Sequence, residues 1–210
     1  IDTADKMMTT AGSLALDGAQ VQRDAHLVSS LREGGAIILA KTNLSEWANF
    51  RSTKSCTGWS SRGGQVRNAY AIDRTPGGSS SGSAVAVARS FCAGAIGTET
   101  DGSIVVPAAM NSLVGIKPTV GMVSRTGVVP ISFSQDTAGP IAKTVSDAST
   151  ILSVLMGHDL ADSSSKDLKQ GFSRKLTQGF NRNALKGKRI GVVRNYSGVQ
   201  DAFDKKFDQA

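Results

Sequence analysis

Apolar positions along the chain switch between helical and strand-like spacing, and the switches mark its elements. Residues 2–18 show neither period and read as an irregular lead-in around Thr9, Thr10 and Gly12. From Ala25 to Arg32, Leu27, Val28 and Leu31 share one face, and Gly34-Gly35 ends the helix this spacing predicts. Ala36-Ile37-Ile38-Leu39-Ala40 is a short apolar run bounded by glycine, the pattern of a buried strand. Ser45 then opens a short helix. Helix, buried strand and helix in succession point to α/β architecture. Residues 51–76 are polar, rich in Gly and Arg and without period, which predicts a long loop of the kind that carries function.

The next stretch, Gly77-Gly78-Ser79-Ser80-Ser81-Gly82-Ser83, has the composition of a flexible linker. It runs straight into Ala84-Val85-Ala86-Val87-Ala88, a close-packed helical pattern, and a linker does not lead into a core element. A helix is expected over Ser81–Cys92, a strand over Ala93–Gly97, and a short helix over Ser103–Met110 limited by Pro107. A strand over Leu113–Ile116 stops at Pro118. Thr144-Val145-Ser146-Asp147 has capping-box spacing, with Asp in place of Glu or Gln, and starts a helix through Ile151, Leu152 and Leu155 to Gly157. Residues 159–187 are polar and poorly patterned. Arg189–Arg194 reads as a strand and Asp201–Ala210 as a helix, and the chain has no internal repeat.

Composition narrows the class. The 210 residues are moderately apolar, enough for one domain with a sizeable core, and no apolar run could span a bilayer. From Lys166 onward there are 11 Lys and Arg against 4 Asp, whereas residues 1–165 hold 13 of each sign, so the net charge of +7 belongs to the C-terminal segment. Those charges are scattered among few aromatics, which argues for a solvated face and against a nucleic-acid partner. Cys56 and Cys92 fit neither a metal-ligand pattern nor a disulfide framework, and Cys92 is expected in the core. The chain opens at Ile1 without Met, basic leader or cleavage site, and Ala210 sits in a helical pattern; both suggest an internal fragment, with a cytoplasmic setting favoured.

A serine hydroxyl is a weak nucleophile until a base takes its proton. The two histidines, His26 at a helix start and His158 after Gly157, read as cap or surface residues. Gly78-Ser79-Ser80-Ser81-Gly82 matches a nucleophile elbow, but Asp73-Arg74-Thr75-Pro76 is no strand to lead into one, so that match is accidental. The order Gly77-Gly78-Ser79-Ser80-Ser81-Gly82-Ser83-Ala84, then Gly97-Thr98-Glu99-Thr100-Asp101-Gly102-Ser103-Ile104, Val106-Pro107-Ala108 and Val114-Gly115-Ile116-Lys117-Pro118-Thr119, resembles the amidase signature family. The likeness runs from near residue 1 to about residue 150, and more loosely to the end. Ser45-Glu46-Trp47-Ala48-Asn49-Phe50-Arg51 and Gly63-Gly64-Gln65 are similar to its peptide-amidase branch.

That resemblance implies a three-layer α/β/α fold on a mixed sheet, only partly covered here, as one domain over residues 1–210 with its motif core at 36–156 and a basic segment at 159–210. It implies hydrolysis of a carboxamide, a peptide C-terminal amide among the candidates, to acid and ammonia or amine through a seryl acyl-enzyme, with no cofactor and no metal. The nucleophile would be Ser103 and the bridging serine Ser79, held after a cis Gly78–Ser79 peptide. Main-chain N–H groups of Thr100, Asp101, Gly102 and Ser103 would form the oxyanion hole, with Gly77, Gly78 and Ser80 supporting the loop. The family's third member, a lysine in a Gly-x-Pro…Lys-Asp-Asn segment, would lie before Ile1, so the fragment alone is expected to be inactive; Lys41 is the fallback base. Asp101 stands where many members have glycine, and Val105 where many have arginine. Left open are a bland helix-capping role for Ser103, an amidotransferase component that hands ammonia to a charged tRNA, and a non-catalytic homologue. A phosphate-binding loop is disfavoured because no Gly-Lys-Ser/Thr follows the glycines.

Overall fold

Thr137–Ala142 (Thr-Ala-Gly-Pro-Ile-Ala) is buried at every position and forms the middle strand of the main sheet. The computed structural model describes residues 1–165, 176–177, 180–181, 183–194 and 201–209. It divides into two units, Ile1–Gly179 and Phe180–Ala210.

In the first unit the strands are β1 (Trp59–Ser60), β2 (Gly64–Gln65), β3 (Gly94–Glu99), β4 (Val114–Gly115) and β5 (Thr137–Ala142). β1 and β2 form a small hairpin inside the predicted long loop. The main sheet has the order β3-β5-β4, and both pairings are antiparallel, so the mixed character expected of the sheet is not seen among the described residues. Gly139 and Pro140 break any strand-like sequence pattern in β5, yet both suit their places. A Cβ on Gly139 would collide with the Ile116 carbonyl, and Pro140, which has no N–H, contributes a carbonyl to Ile116 N at 3.1 Å.

Side chains alternate across a strand, so Ala138 and Ile141 point to opposite faces. On the Ala138 side lie α1 (His26–Glu33) and α4 (Val145–Leu155), joined through buried Leu27, Val28, Leu152 and Leu155. On the Ile141 side lie α2 (Ser81–Ala88) and α3 (Val105–Met110), joined through Ala84, Ile104 and Ala108. This is the expected α/β/α layering. The Thr144 hydroxyl caps α4 by accepting from Asp147 N at 3.1 Å, as the spacing predicts. Pro107 is tolerated because it stands in the first turn of α3, where its missing N–H has no partner to lose.

Two expectations fail for one reason. Ala36–Ala40 forms no strand; Ile37 and Leu39 are exposed, at 83% and 67%. Arg189–Arg194, in the second unit, forms none either, with Ile190 and Val193 exposed. An apolar run becomes a strand only when a neighbour takes its main-chain hydrogen bonds, and no described strand pairs with either. Helix α2 ends at Ala88 rather than Cys92, since Ser90 takes a positive φ of 61°, and Cys92 is half-buried, its thiol pushed up by burial. The helix predicted from Asp201 is present as α5 (Asp201–Gln209). Much of the polar stretch at 159–187, and Ala210, lie outside the described residues.

A loop after α4 is pinned by acids. Asp159 accepts from the Ser124 and Thr126 hydroxyls at 2.6 Å each, and Asp162 accepts from Arg125 N and Nε at 2.9 and 3.0 Å and from Nη2. The Arg125 guanidinium holds the Asp162 carboxyl far below the usual carboxylate range, against the opposing effect of burial. A carboxyl whose folded-state pKa is lowered contributes stability above its unfolded value, and loses it as pH falls through the folded value. Wild-type urea stability should therefore drop more steeply than that of Asp162→Asn between about pH 5 and pH 2. At neutral pH the variant should be the less stable by about 3 kcal/mol, because Arg125 loses its buried partner.

Candidate active site

Two loops rich in small residues meet at the C-terminal end of β3. The first begins at Gly77, whose φ of 68° and close approach to Pro107, with an added Cβ only 2.8 Å from Pro107 Cα, leave room for no side chain. The Gly78–Ser79 peptide is cis. Ser79 O accepts from Ser45 N at 3.0 Å and Ser81 N at 2.8 Å, and Ser81 Oγ donates to Gly77 O at 2.6 Å. Ser80 fastens the loop to β3: its Oγ donates to Thr98 O at 3.2 Å and accepts from Thr98 N at 3.1 Å. Ser80 N donates to Ser103 O at 3.2 Å, which joins the two serine loops main chain to main chain.

The second loop leaves β3 at Glu99 and enters α3 after Ser103. Glu99 is 5% exposed, and its carboxylate accepts from Gly102 N (2.9 Å), Ile104 N (2.8 Å) and Val105 N (3.0 Å). It thus satisfies amides at the start of α3 that have no intrahelical partner. Thr100 Oγ1 donates to Asp136 Oδ1 at 2.6 Å, while Asp136 Oδ2 takes the Ile131 and Ser132 amides at 2.7 and 2.8 Å. The loop is held from both ends. Sequence reasoning placed Glu99 and Asp136 in no role, although an acid just before a short helix is itself a capping signal.

The Gly102 amide has a partner within the loop. Its N–H is engaged by Glu99, so it is not free for an oxyanion in this structure. The reason is the tight turn at Gly102, with φ 74°, which aims that amide back at the carboxylate.

A cavity of about 260 Å³ opens between the loops, lined on one side by Gly78, Ser79, Asp101 and Ser103 and on the other by Ala48, Asn49, Phe50 and Thr57. The second wall comes from the segment expected to be a short helix. It is a left-handed turn instead, with φ of 50°, 53° and 70° at Trp47, Ala48 and Asn49. For side-chain-bearing residues that conformation is disfavoured and persists where surroundings impose it. Trp47 N bonds Ala11 O at 3.0 Å, Glu46 accepts from Ser61 N at 2.6 Å, and Arg51 lies 4.8 Å over the Trp59 ring.

Ser79 and Ser103 are 2% and 5% exposed. Ser79 Oγ is buried with no hydrogen-bond partner among the described residues, unusual for a polar atom in a folded interior. Lys41 does not supply one. Its ammonium, pushed down by burial, donates to Thr9 Oγ1 at 2.7 Å and Met8 O at 3.1 Å. Neither histidine lines the cavity. Among the described residues no cluster of His, Cys, Asp or Glu could hold a metal ion, and no helix is long and apolar enough to cross a membrane.

Layered helices on a sheet, with two glycine–serine loops closing on one cavity, define the class as an α/β protein built around a serine-lined pocket. Within that class the chain belongs to the amidase signature family, whose Amidase model matches residues 1–210. It is 51% identical over 202 residues to a probable amidase of Arabidopsis thaliana, covering 96% of this chain and 40% of that protein. Its fold matches the peptide amidase of Stenotrophomonas maltophilia with a TM-score of 0.90 and 52% identity, covering all of this chain and 43% of that one. It is also 42% identical over 196 residues to a component of the glutamyl-tRNA(Gln) amidotransferase of Mycobacterium tuberculosis, covering 93% of this chain and 39% of that protein. The chain thus spans about two-fifths of the length of these relatives.

The hydrogen bonds at Glu99 set an expectation for stability. Glu99→Gln leaves one oxygen for three amides, and a buried donor without a partner costs about 1–3 kcal/mol. The urea stability of the full-length polypeptide should fall by that amount. Asp101→Asn, at an exposed side chain, should change it by less than about 0.5 kcal/mol.

Proposed function

We propose that the polypeptide containing these residues is an amidase that hydrolyses a carboxamide through an acyl-enzyme on Ser103. One observation carries the reading: the Ser79 hydroxyl is buried and unpartnered in the same cavity as Ser103. A scaffold would satisfy that hydroxyl, whereas a proton relay leaves it available. In the proposed reaction Ser103 Oγ attacks the amide carbon as its proton passes to Ser79. Ser79 hands that proton to the leaving nitrogen, and the C–N bond breaks to release ammonia or an amine. Water then enters, gives a proton back through Ser79, and releases the acid from Ser103. The amides of Thr100, Asp101 and Ser103 are the proposed donors to the developing oxyanion, with that of Gly102 joining them if Glu99 releases it, and the proposed base behind Ser79 is a lysine outside residues 1–210.

Among substrates, peptide C-terminal amides are favoured over glutamine. The peptide amidase structure aligns over the whole chain at 0.90, whereas the glutamyl-tRNA(Gln) amidotransferase component from Thermotoga maritima aligns at a TM-score of 0.74 over 80% of it. The left-handed Trp47–Asn49 wall lies within the segment that resembles the peptide-amidase branch.

A serine-reactive fluorophosphonate should label the full-length protein on the peptide containing Ser103, and Ser103→Ala should abolish labelling. Ser79→Ala should retain the fold and lower kcat by about 10²–10⁴-fold. Label on Ser80 would revive the elbow reading, and a folded protein that neither labels nor releases ammonia would be the non-catalytic homologue.

A further inference from the structure

Asp101 has no structural task. Its neighbours in the loop do: Glu99 is buried against three amides, and Thr100 is bonded to Asp136. Asp101, which follows them and precedes Ser103 by two residues, is exposed and makes no hydrogen bond or ion pair among the described residues. It lines the cavity shared by Ser79 and Ser103, and every other lining residue is uncharged. The loop that carries it is anchored on both sides, so the carboxylate is tethered to the wall of the cavity that holds the nucleophile.

We propose that Asp101 selects the acyl group of the substrate: it favours an acyl group bearing an N–H donor near the scissile carbonyl, most of all a protonated amine, and it rejects one bearing a carboxylate. The inference rests on the amidase reading above and names the substrate class for that site. The physical basis is local. A carboxylate at the wall of the cavity is the one charge an incoming acyl group meets there, and it attracts a cation and repels an anion. It also offers an acceptor that an amino-acid amide or peptide amide can meet with its own N–H, and that a plain alkyl amide cannot. An unpaired carboxylate beside a nucleophile is a liability for anionic substrates, and that repulsion sharpens the choice.

The test uses the full-length polypeptide and four probes: alaninamide, N-acetylalaninamide, isobutyramide and succinamate. These carry an ammonium, an amide N–H, no donor and a carboxylate near the scissile amide. Wild type should rank them in that order by kcat/KM. Asp101→Asn should lower the alaninamide-to-succinamate ratio at least ten-fold, and Asp101→Glu should keep most of it. Any disturbance of the oxyanion loop affects both substrates and cancels in the ratio. An unchanged ratio in Asp101→Asn, or equal losses in the Asn and Glu variants, would overturn the proposal. A wild type that hydrolyses none of the four while remaining unlabelled by fluorophosphonate would overturn the amidase reading instead.

Discussion

Six residue pairs, from Gly94–Ala142 to Glu99–Thr137, join β3 to β5, and the geometry of the cavity follows from that ladder. β3 presents Thr98 to Ser80 and ends at Glu99, so both serine loops take their positions from one strand. β5, buried on both faces, cannot shift register without turning Ala138 and Ile141 out of the two apolar clusters. The ladder also explains why the loops are built of small residues. Two helices and two turns converge on one strand end, and only Gly, Ser and Ala leave room for main chain to lie on main chain. Gly82, whose added Cβ would strike the Asn43 carbonyl, and Gly77, pressed on Pro107, express that constraint.

Polar groups around the cavity divide into those engaged by the scaffold and those left open. Glu99 and Asp136 accept main-chain amides and a hydroxyl, and so convert two carboxylates into fixed braces. Ser80 and Ser81 are engaged in the same way, each bonded to a main-chain carbonyl. Ser79 Oγ and Asp101 are not. The contrast separates engaged groups from open ones more clearly than residue type does, since serine and acid occur on both sides of it. Buried polar atoms in folded proteins are nearly always bonded; among the described residues the side-chain exceptions are Ser79 Oγ and, away from the cavity, His26 Nδ1.

The family likeness and the local physics meet at the same residues but carry different weight. Membership rests on a match over all 210 residues and on identities near one half. The division of labour inside the site rests on hydrogen bonds that no likeness supplies. The engagement of the Gly102 amide by Glu99 is one of these.

The amphipathic helices, the Thr144 cap and the two serine loops were legible in the sequence because each is specified locally, by spacing, capping chemistry or backbone freedom. The α/β class held although two of the three elements it was read from, the Ala36–Ala40 strand and the helix after Ser45, do not form as expected. β5 was not legible, since Gly139 and Pro140 contradict strand propensity and are accommodated only through Ile116 and the flanking strands. The failure at Ala36–Ala40 and Arg189–Arg194 is the reverse case: an apolar run suited to a strand remains unpaired without a neighbour to accept its hydrogen bonds. The left-handed turn at Trp47–Asn49 was invisible as well, because Ala11, Ser61 and the Arg51–Trp59 stack impose it from distant parts of the chain. Sequence by itself determined the helices, their caps and the two glycine–serine loops. Which polar groups of those loops are braced and which left free was decided by tertiary structure, because a hydrogen-bond partner is a matter of position in space and not of order along the chain.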